Sequence, residues 1–503
     1  MVDQKSKLGF VVAGLLLGIL MASMDNTIVV TAMGTIVGDL GGLDSFVWVV
    51  SAYMVAEMAG MPIFGKLSDM FGRKRFFIMG LILFMAGSIL CATADSITQL
   101  SIYRAIQGIG GGALVPIAFT IVFDIFPPEK RGKMGGLFGA VFGLSSIFGP
   151  LIGAYITDYI SWHWVFLINL PLGILALVLV TFFYYESKQH VQQKIDWWGA
   201  ITLVGAVVCL MFALELGGKK FDWDSSVILG LFAGFIGLSL IFIWVEKKVS
   251  DPIISFKMFQ KRLFAGSTLV ALFYGAAFMA ATVYIPIFVQ GVYGGSATNS
   301  GLILLPMMLG SVVSAQLGGF LTTKLSYRNI MFFSGVITII GMFLLTTLTP
   351  ETKRIVLTLY MIITGFGVGF SFSVLGMASI HNFGTEQRGS ATSTSNFVRS
   401  LGMTIGITIF GMIQKNVFSN KMEDAFKGMG SMPNNVSLDP NQILNEQART
   451  QIPAEILDKI TTSLSSSIVQ TFMWGLVPAV LAFLFIFVMS KERMVFNKEK
   501  KLD

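Results

Sequence analysis

The sequence has little of what soluble proteins use for solvation, redox chemistry and metal binding. Only 13% of its 503 residues are charged, whereas a soluble domain carries about a quarter, and it holds three histidines and two cysteines. Cys91 and Cys209 lie inside apolar runs, so we interpret them as small packing residues without a disulfide. The histidines show no metal-ligand spacing. These shortages exclude a sizeable soluble domain and predict that the chain binds no metal.

Catalytic motifs are also missing. The chain has no arrangement of nucleophile and base, and no Gly-x-x-x-x-Gly-Lys-Ser/Thr stretch that would hold a nucleotide phosphate. We therefore expect no enzyme, no cofactor and no use of ATP as the energy source. A net charge of +7 would suit a nucleic-acid partner. Most of the bases lie in short loops between apolar runs, however, which argues against that partner.

Long apolar runs dominate what is present, since hydrophobic residues make up 54% of the chain. A membrane helix needs about 20 apolar residues. The first run follows two lysines as a signal peptide would, but it continues without a convincing cleavage site past Val30, so we interpret it as a retained span. Fourteen spans are predicted, at 8–37, 45–64, 76–94, 98–122, 135–157, 164–184, 197–216, 226–245, 264–288, 299–320, 330–348, 355–376, 391–412 and 467–489.

The positions of lysine and arginine predict the orientation in the membrane. An even number of spans places both termini on one side, and most basic loops fall on that side. The opposite short loops hold only Lys219, Lys220, Lys353 and Arg354. Because cytoplasmic loops carry the excess of bases, we expect a multi-pass membrane protein with both termini in the cytoplasm.

The stretch 65–75 is a short basic loop between the second and third spans. Gly65 and Gly72 allow turning and close approach of the backbone. Asp69 is the one acid among four bases, Arg73 included, so we expect it to have a specific partner. The alternative is a plain positively charged loop on the cytoplasmic side with no further role.

Four ionisable residues lie within predicted spans, where a charge is costly and often functional. They are Asp25, Glu57, Arg104 and Arg399. Helical rise places Asp25 and Glu57 at similar depth, so either can face one water-filled cavity and bind a proton or a cationic ligand. The alternative is a structural ion pair with Arg104 that only orders the helices.

Glycine-rich stretches mark the fourth and fifth spans, at 104–116 and 143–154. Small residues let membrane helices approach closely. In the fifth span Gly143, Gly149 and Gly153 predict a smooth face for packing against a helix of the other half of the protein, and Pro150 favours a kink.

The order of these motifs resembles the fourteen-span drug:proton antiporter family of the major facilitator superfamily. Its signs are the stretches 24–30, 65–75, 104–116, 143–153, 161–171 and 396–402, with Gln290 and Pro306. The resemblance is closest to multidrug exporters of Gram-positive bacteria, and it implies that the protein lies in a bacterial cell membrane. The chain departs from the family at Met70, where members often carry a base.

This resemblance implies an all-α membrane fold of two six-helix bundles with two extra transmembrane helices between them. The weak echo of 65–69 at 318–324 agrees with such a duplication. The expected divisions are an N-terminal bundle over 1–190, the inserted spans and a cytoplasmic linker over 191–262, and a C-terminal bundle over 263–503. An external loop at about 413–466 belongs to the last division, and its part 453–460 suits an amphipathic helix.

The resemblance also implies residue roles. Asp69 should cap a helix of the other half at the cytoplasmic face, and Arg73 should pair with Asp124, which together would latch an outward-open state. The fifth-span pattern of glycines and Pro150 is the family's mark of antiport.

The expected function is therefore proton-coupled efflux of amphipathic, often cationic drugs by alternating access, driven by the proton gradient. Its expected partners are lipophilic drugs, protons and membrane lipid, and we expect a monomer. The 44 phenylalanines and 28 methionines suit a loose binding pocket. One alternative is export of an endogenous lipid or metabolite. Another is a non-transporting receptor on the same fold, although sensing needs no buried titratable pairs.

Overall fold

The computed structural model describes residues 7–40, 47–186, 194–218, 220–294, 297–426 and 453–494. These ranges are helical apart from short connections and one isolated bridge between Gly217 and Phe221. Within them, 14 helical segments are long and apolar enough to cross a membrane, which confirms the predicted fold class. The helices are α1 (Leu8–Leu40), α2 (Val47–Phe71), α3 (Arg73–Ala92), α4 (Ile97–Ile125), α5 (Pro128–Tyr159), α6 (His163–Leu167), α7 (Asn169–Phe183), α8 (Trp197–Leu216), α9 (Ser226–Lys248), α10 (Arg262–Gly291), α11 (Ala297–Leu321), α12 (Tyr327–Leu345), α13 (Arg354–Ile380), α14 (Arg388–Phe426) and α15 (Ala454–Ile486).

The helices group by packing into two sets. In the first, α4 packs against α2 and α3, and α1 packs against α5; in the second, α13 packs against α11 and α12, and α10 packs against α14. The two sets meet where α5 contacts α11 and where α2 contacts α14. Helices α8 and α9 pack on each other, and α8 leans on α2 at the outside of the bundle. The six-helix halves are therefore joined along two helix pairs.

The basic stretch at 65–75 is helical, in contrast to the predicted loop. Helix α2 continues to Phe71 and α3 begins at Arg73, so Gly72 alone forms the turn, with a φ of 102°. That conformation favours glycine because a Cβ would be strained there. The charged side chains extend the helices because they find partners at this end of the bundle, as described below.

The polar segment predicted as an external loop is shorter than expected. Helix α14 runs on to Phe426, and α15 already begins at Ala454, before the predicted start of the last span. The extensions carry a buried apolar stripe, in which Phe418 and Met422 join the same core cluster as Ile460. Packing of that stripe outweighs the polar composition. Residues 427–452, the middle of the predicted loop, lie outside the described residues.

The linker after the inserted helices folds back on α9. Glu246 near the end of α9 accepts hydrogen bonds from the backbone N–H groups of Ile253 and Ile254, both at 3.2 Å. Ile253 and Ile254 join a core cluster with Met58 and Met61 of α2. This contact ties the inserted pair of helices to α2, one of the helices at which the halves meet.

Candidate functional site

Asp25 and Arg104 form a closed ion pair at the centre of the first half. Both residues are 0% exposed, and Arg104 Nη1 donates to Asp25 Oδ2. Arg104 Nε donates to the Val49 carbonyl at 3.1 Å, and its guanidinium lies over the Tyr53 ring at 4.2 Å. The charge of Arg104, which arginine cannot discard, is thus compensated on several sides. A buried pair of this kind is costly to break.

Two amides and a hydroxyl, which the sequence reasoning did not single out, complete the network. Gln107 and Asn169 each donate to Asp25 Oδ1 at 2.8 Å, and Gln107 accepts from Arg104 at 2.6 Å. Ser88 accepts from both amides, at 2.8 Å and 3.2 Å. Residues of four helices therefore meet in one network around the Asp25 carboxylate, which itself accepts from α4 and α7. The available signal was polar residues inside apolar spans, which a count of charged groups passes over.

Glu57 stands apart from this closed network. Its carboxyl group lies within hydrogen-bonding reach of the Asn26 side chain, and both residues keep part of their surface accessible deep within the bundle. Glu57 forms no ion pair among the described residues. A carboxylate with an accessible face can exchange a proton or meet a cation, which the enclosed Asp25 carboxylate cannot do in this conformation.

Arg399 lies in the second half and is also partly accessible. Its Nη2 donates to the Ser371 carbonyl at 3.2 Å, and the guanidinium lies 5.4 Å from the centre of the Phe372 ring. The structure therefore separates the four ionisable residues into one closed pair, Asp25 with Arg104, and two single charges, Glu57 and Arg399, on opposite halves.

A second cluster joins the two halves at one end of the bundle, which we call the latch end. Asp69 of α2 accepts hydrogen bonds from the backbone N–H groups of Gly389 and Ser390, at 2.8 Å and 2.7 Å. These groups belong to the first turn of α14, where a carboxylate is favoured by the unpaired N–H groups and the helix dipole. Gly65 makes the approach possible, because a Cβ there would overlap the Ser393 side chain.

Arg73 and Asp124 extend the latch. Arg73 pairs with Asp69 at 3.3 Å and with Asp124, and it donates to the Thr385 carbonyl at 2.6 Å. Asp124 also pairs with Arg388 at 2.9 Å, so it bridges bases from both halves. Arg388 was not identified from the sequence, because this end of the bundle carries many basic residues and one more gives no distinct signal. The cluster holds this end closed in the described conformation.

A further carboxylate supports the Gly72 turn. Glu186, just after α7, accepts from the backbone N–H groups of Arg73 and Lys74, at 2.8 Å and 3.1 Å. It therefore caps α3, whose N-terminal N–H groups have no partner within the helix.

The glycines of α5 divide between two neighbours. A Cβ on Gly143 would lie 3.2 Å from Met308 of α11, across the interface between the halves. A Cβ on Gly149 would overlap Thr27, and one on Gly153 would overlap the Thr31 hydroxyl; both residues lie on α1 of the same half. The expectation that this face packs on the other half is therefore wrong for Gly149 and Gly153. Pro150 lies inside α5, which is one continuous helix. Gly143, which faces α11, and Gly149, which faces α1, lie between one and two helical turns apart along it.

These contacts predict unequal effects of alanine substitutions along α5. Gly149→Ala is expected to destabilise the protein by about 1–3 kcal/mol, since the methyl group overlaps Thr27, which also donates to the Ser145 carbonyl. Gly139→Ala is the matched control, because its Cβ would lie 3.7 Å from Ala315, an ordinary contact. Thermal unfolding of the purified variants measures the difference, and equal unfolding temperatures would contradict the assignment.

His381 lies beside the latch but does not act as a free base there. Its Nδ1 contacts the Tyr327 hydroxyl at 3.2 Å and its Nε2 lies 3.5 Å from Glu492. Burial lowers the pKa of His381 below its usual value, and Glu492 opposes that shift. The imidazole is therefore mainly neutral at pH 7. Within the described ranges no group of three or more His, Cys, Asp or Glu side chains is placed to hold a metal ion.

Two six-helix halves with a buried ion pair and a latch across their interface define a polytopic membrane protein of the transporter class. The sequence matches the Major Facilitator Superfamily over residues 15–407, and the chain belongs to this superfamily.

Two relatives specify which members of the superfamily the chain is similar to. The chain is 58% identical over 489 residues, 96% of each protein, to Multidrug resistance protein 3 of Bacillus subtilis. It is 37% identical over 495 residues to Multidrug transporter protein MdtP of the same organism, covering 94% of this chain and 91% of the relative. The resemblance to multidrug exporters of Gram-positive bacteria is thereby confirmed.

Solved structures agree on the fold. The proton:xylose symporter XylE matches with a TM-score of 0.60 at 15% identity, covering 95% of both chains. The human organic anion transporter MFSD10 matches with a TM-score of 0.59 at 15% identity, covering 94% of this chain and 99% of the other. At such low identity these likenesses show the fold alone.

Proposed function

We propose that the chain is a proton-coupled multidrug efflux antiporter that exports amphipathic, often cationic drugs by alternating access. The names of the two Bacillus relatives support drug export as the activity. The observation that carries proton coupling is Glu57, a partly accessible carboxylate inside the bundle that pairs with no base in the described part of the chain. Such a group can hold a proton in one state and a cationic drug in the other.

The latch indicates how opening and closing of the two halves contribute to the transport cycle. We take the latch end to be cytoplasmic, together with both termini, because short cytoplasmic loops carry the excess of Lys and Arg. With Asp69 bound to the start of α14, the described state is closed toward the cytoplasm. Opening the latch would admit drug from the cytoplasm or the inner leaflet, and closing it would commit the drug to the outside.

A cavity of suitable size lies where the halves meet, toward the end opposite the latch. Its volume is about 470 Å³, within the range of pockets that hold drug-sized molecules. Its lining combines α2, α10 and α14 with the α8–α9 hairpin, and it includes Met54, Trp223 and Tyr284. Aromatic and methionine side chains suit varied apolar ligands. We assign it to the exit path of the drug.

Transport in proteoliposomes with an imposed pH gradient tests this function. The wild-type protein is expected to move a lipophilic cation against its gradient and to release protons in exchange. Glu57→Gln is expected to lower gradient-driven transport of the cation at least about 100-fold, because the amide cannot take up a proton. Efflux of a preloaded neutral drug down its own gradient should fall less.

Asp222→Ala serves as the control, since Asp222 is an exposed acid beyond the membrane spans. Proton-driven transport by Glu57→Gln at the wild-type rate would remove Glu57 from the coupling step. Transport by the wild-type protein that is indifferent to the pH gradient would overturn proton coupling itself.

A further inference from the structure

Arg399 is a cation whose donors are mostly unused. A guanidinium offers five N–H donors. Of these, one donates to the Ser371 carbonyl, and the buried Nε has no hydrogen-bond partner among the described residues. The Phe372 ring offers its face at 5.4 Å, which attracts a cation but supplies no counter-charge. Arg104, by contrast, has a carboxylate, an amide and a carbonyl as acceptors.

The second half of the chain supplies no internal counter-ion. The sequence has no aspartate or glutamate between Asp251 and Glu351, between Glu386 and Glu423, or between Asp458 and Glu492. Helices α10 to α13 therefore contain no carboxylate. The acids of α14 and α15 are Glu423, Asp424, Glu455 and Asp458. They lie at the ends of these helices remote from the latch, about 35 Å from Arg399 by helical rise along α14. An arginine keeps its charge even when it is buried, so its compensation must come from outside this half.

The surroundings of Arg399 form an open aromatic site. Phe278 of α10 lies edge to face with Phe372 at 5.8 Å, and both rings keep part of their surface accessible, as Arg399 does. Thr404, little more than one helical turn further along α14, already lines the cavity between the halves. Arg399 does not itself line that cavity, so the site at Arg399 lies beside it, nearer the latch.

Glu57, the acid of the first half, lies at a depth in the bundle similar to that of Arg399. Gly65 of α2 faces Ser393 of α14, and from this crossing Glu57 and Arg399 both lie about two turns toward the opposite end. Neither side chain pairs with the other in the described conformation. The interface thus presents a negative group on one half and a positive group on the other, with aromatic surface beside the positive group.

We propose that Arg399 binds the carboxylate of zwitterionic amphipathic substrates, with their cationic end directed toward Glu57. This inference rests on the proposed drug export and names a substrate class for it. The carboxylate replaces the counter-ion that the second half lacks, and the guanidinium fork matches its two oxygens. The aromatic body of such a molecule packs on Phe372 and Phe278.

Equilibrium binding of two matched dyes tests the proposal. Rhodamine B carries a free carboxylate and a delocalised cation, whereas its ethyl ester keeps the cation and loses the anionic group. Binding is measured by fluorescence to the full chain in lipid nanodiscs at pH 7, without a proton gradient. Arg399→Gln is expected to weaken rhodamine B binding about 10- to 100-fold and to leave the ester within about twofold.

Two further variants separate recognition from packing. Arg328→Gln is the matched control, because Arg328 also lies over a phenylalanine ring but at the latch end, 5.2 Å from Phe487. Arg328→Gln should leave the binding of both dyes unchanged. Arg399→Lys should bind rhodamine B with intermediate strength, since the ammonium keeps the charge and loses the fork. Because Arg399 pairs with no carboxylate of the described residues, Arg399→Gln should also unfold at the wild-type temperature or above it.

Equal weakening of both dyes by Arg399→Gln, or no weakening of either, would overturn the proposal. So would a wild-type protein that fails to bind rhodamine B, whether or not it binds the ester. Because the assay uses no gradient, a failure of proton coupling in proteoliposomes would leave a positive result standing, and the two hypotheses can fail separately.

Discussion

Asp25→Ala is expected to destabilise the protein by about 3–5 kcal/mol, because it leaves the Arg104 guanidinium charged, buried and without its carboxylate. Both residues are 0% exposed, so water cannot replace the lost partner without opening the bundle. Gln107 and Asn169 lose their shared acceptor as well, which adds unsatisfied amide donors to the cost. Thermal and denaturant unfolding of the purified protein measure the loss.

Companion variants identify the cause. Asp25→Asn keeps one acceptor for the amides but not the charge, so its loss of stability should be smaller. Asp25→Ala combined with Arg104→Met removes both charges and should recover most of the stability, since an apolar replacement of a whole buried pair is often neutral. A single Asp25→Ala variant as stable as the wild-type protein would contradict the role of this pair as the centre of the first half.

The same variants decide between the two interpretations of Asp25. If Asp25 carries the transported proton, as the depth of the residue allows, Asp25→Asn abolishes proton-driven export even where the protein folds. If Asp25 only orders the helices, the folded fraction of Asp25→Asn still exchanges drug for protons through Glu57. Transport per folded molecule is the quantity to compare, because the expected loss of stability lowers the yield in both cases.

The sequence indicated which charges lie in the membrane but not which of them meet. Asp25 and Glu57 have the same residue chemistry and similar depth, yet one is enclosed and the other is partly accessible. The difference depends on the rotation of each helix about its axis. Spans that are apolar all round give little periodic signal from which that rotation can be read. The partners Gln107 and Asn169 come from separate helices, and their meeting follows only from the packed bundle.

Spans and boundaries show a similar division. Length and hydropathy were sufficient for the fourteen spans, because crossing a bilayer imposes a minimum apolar length. They failed where tertiary contacts extend a helix into polar sequence, as at 65–71 and 413–426. Lys66 and Asp69 look like loop residues in isolation, but α14 provides Asp69 with two N–H donors. The glycine pattern of α5 likewise predicted close contacts without saying on which neighbour each glycine packs.

The latch is the second site at which a single change should have a large effect. Asp69→Ala removes both acceptors from the first turn of α14, while Gly65 and the helix crossing stay in place. Loss of such a cap costs about 0.5–2 kcal/mol of the closed state, and Arg73 also loses one of its two carboxylates. A cost of about 1–2 kcal/mol shifts the balance between closed and open states about 5- to 30-fold toward the open form.

Cysteine accessibility measures that shift directly. Ser393 is 0% exposed against Gly65, so Ser393→Cys in a chain without Cys91 and Cys209 reports opening of the latch. A water-soluble maleimide should label this cysteine about 5- to 30-fold faster when Asp69→Ala is added. Drug export should fall, because the latch end, through which the drug enters, then closes less completely after the drug has bound. Asp69→Asn keeps one acceptor, so its labelling rate should lie between the rates with Asp69 and with Asp69→Ala. Unchanged labelling in Asp69→Ala would show that the ion pairs of Asp124 with Arg73 and Arg388 hold the latch without Asp69.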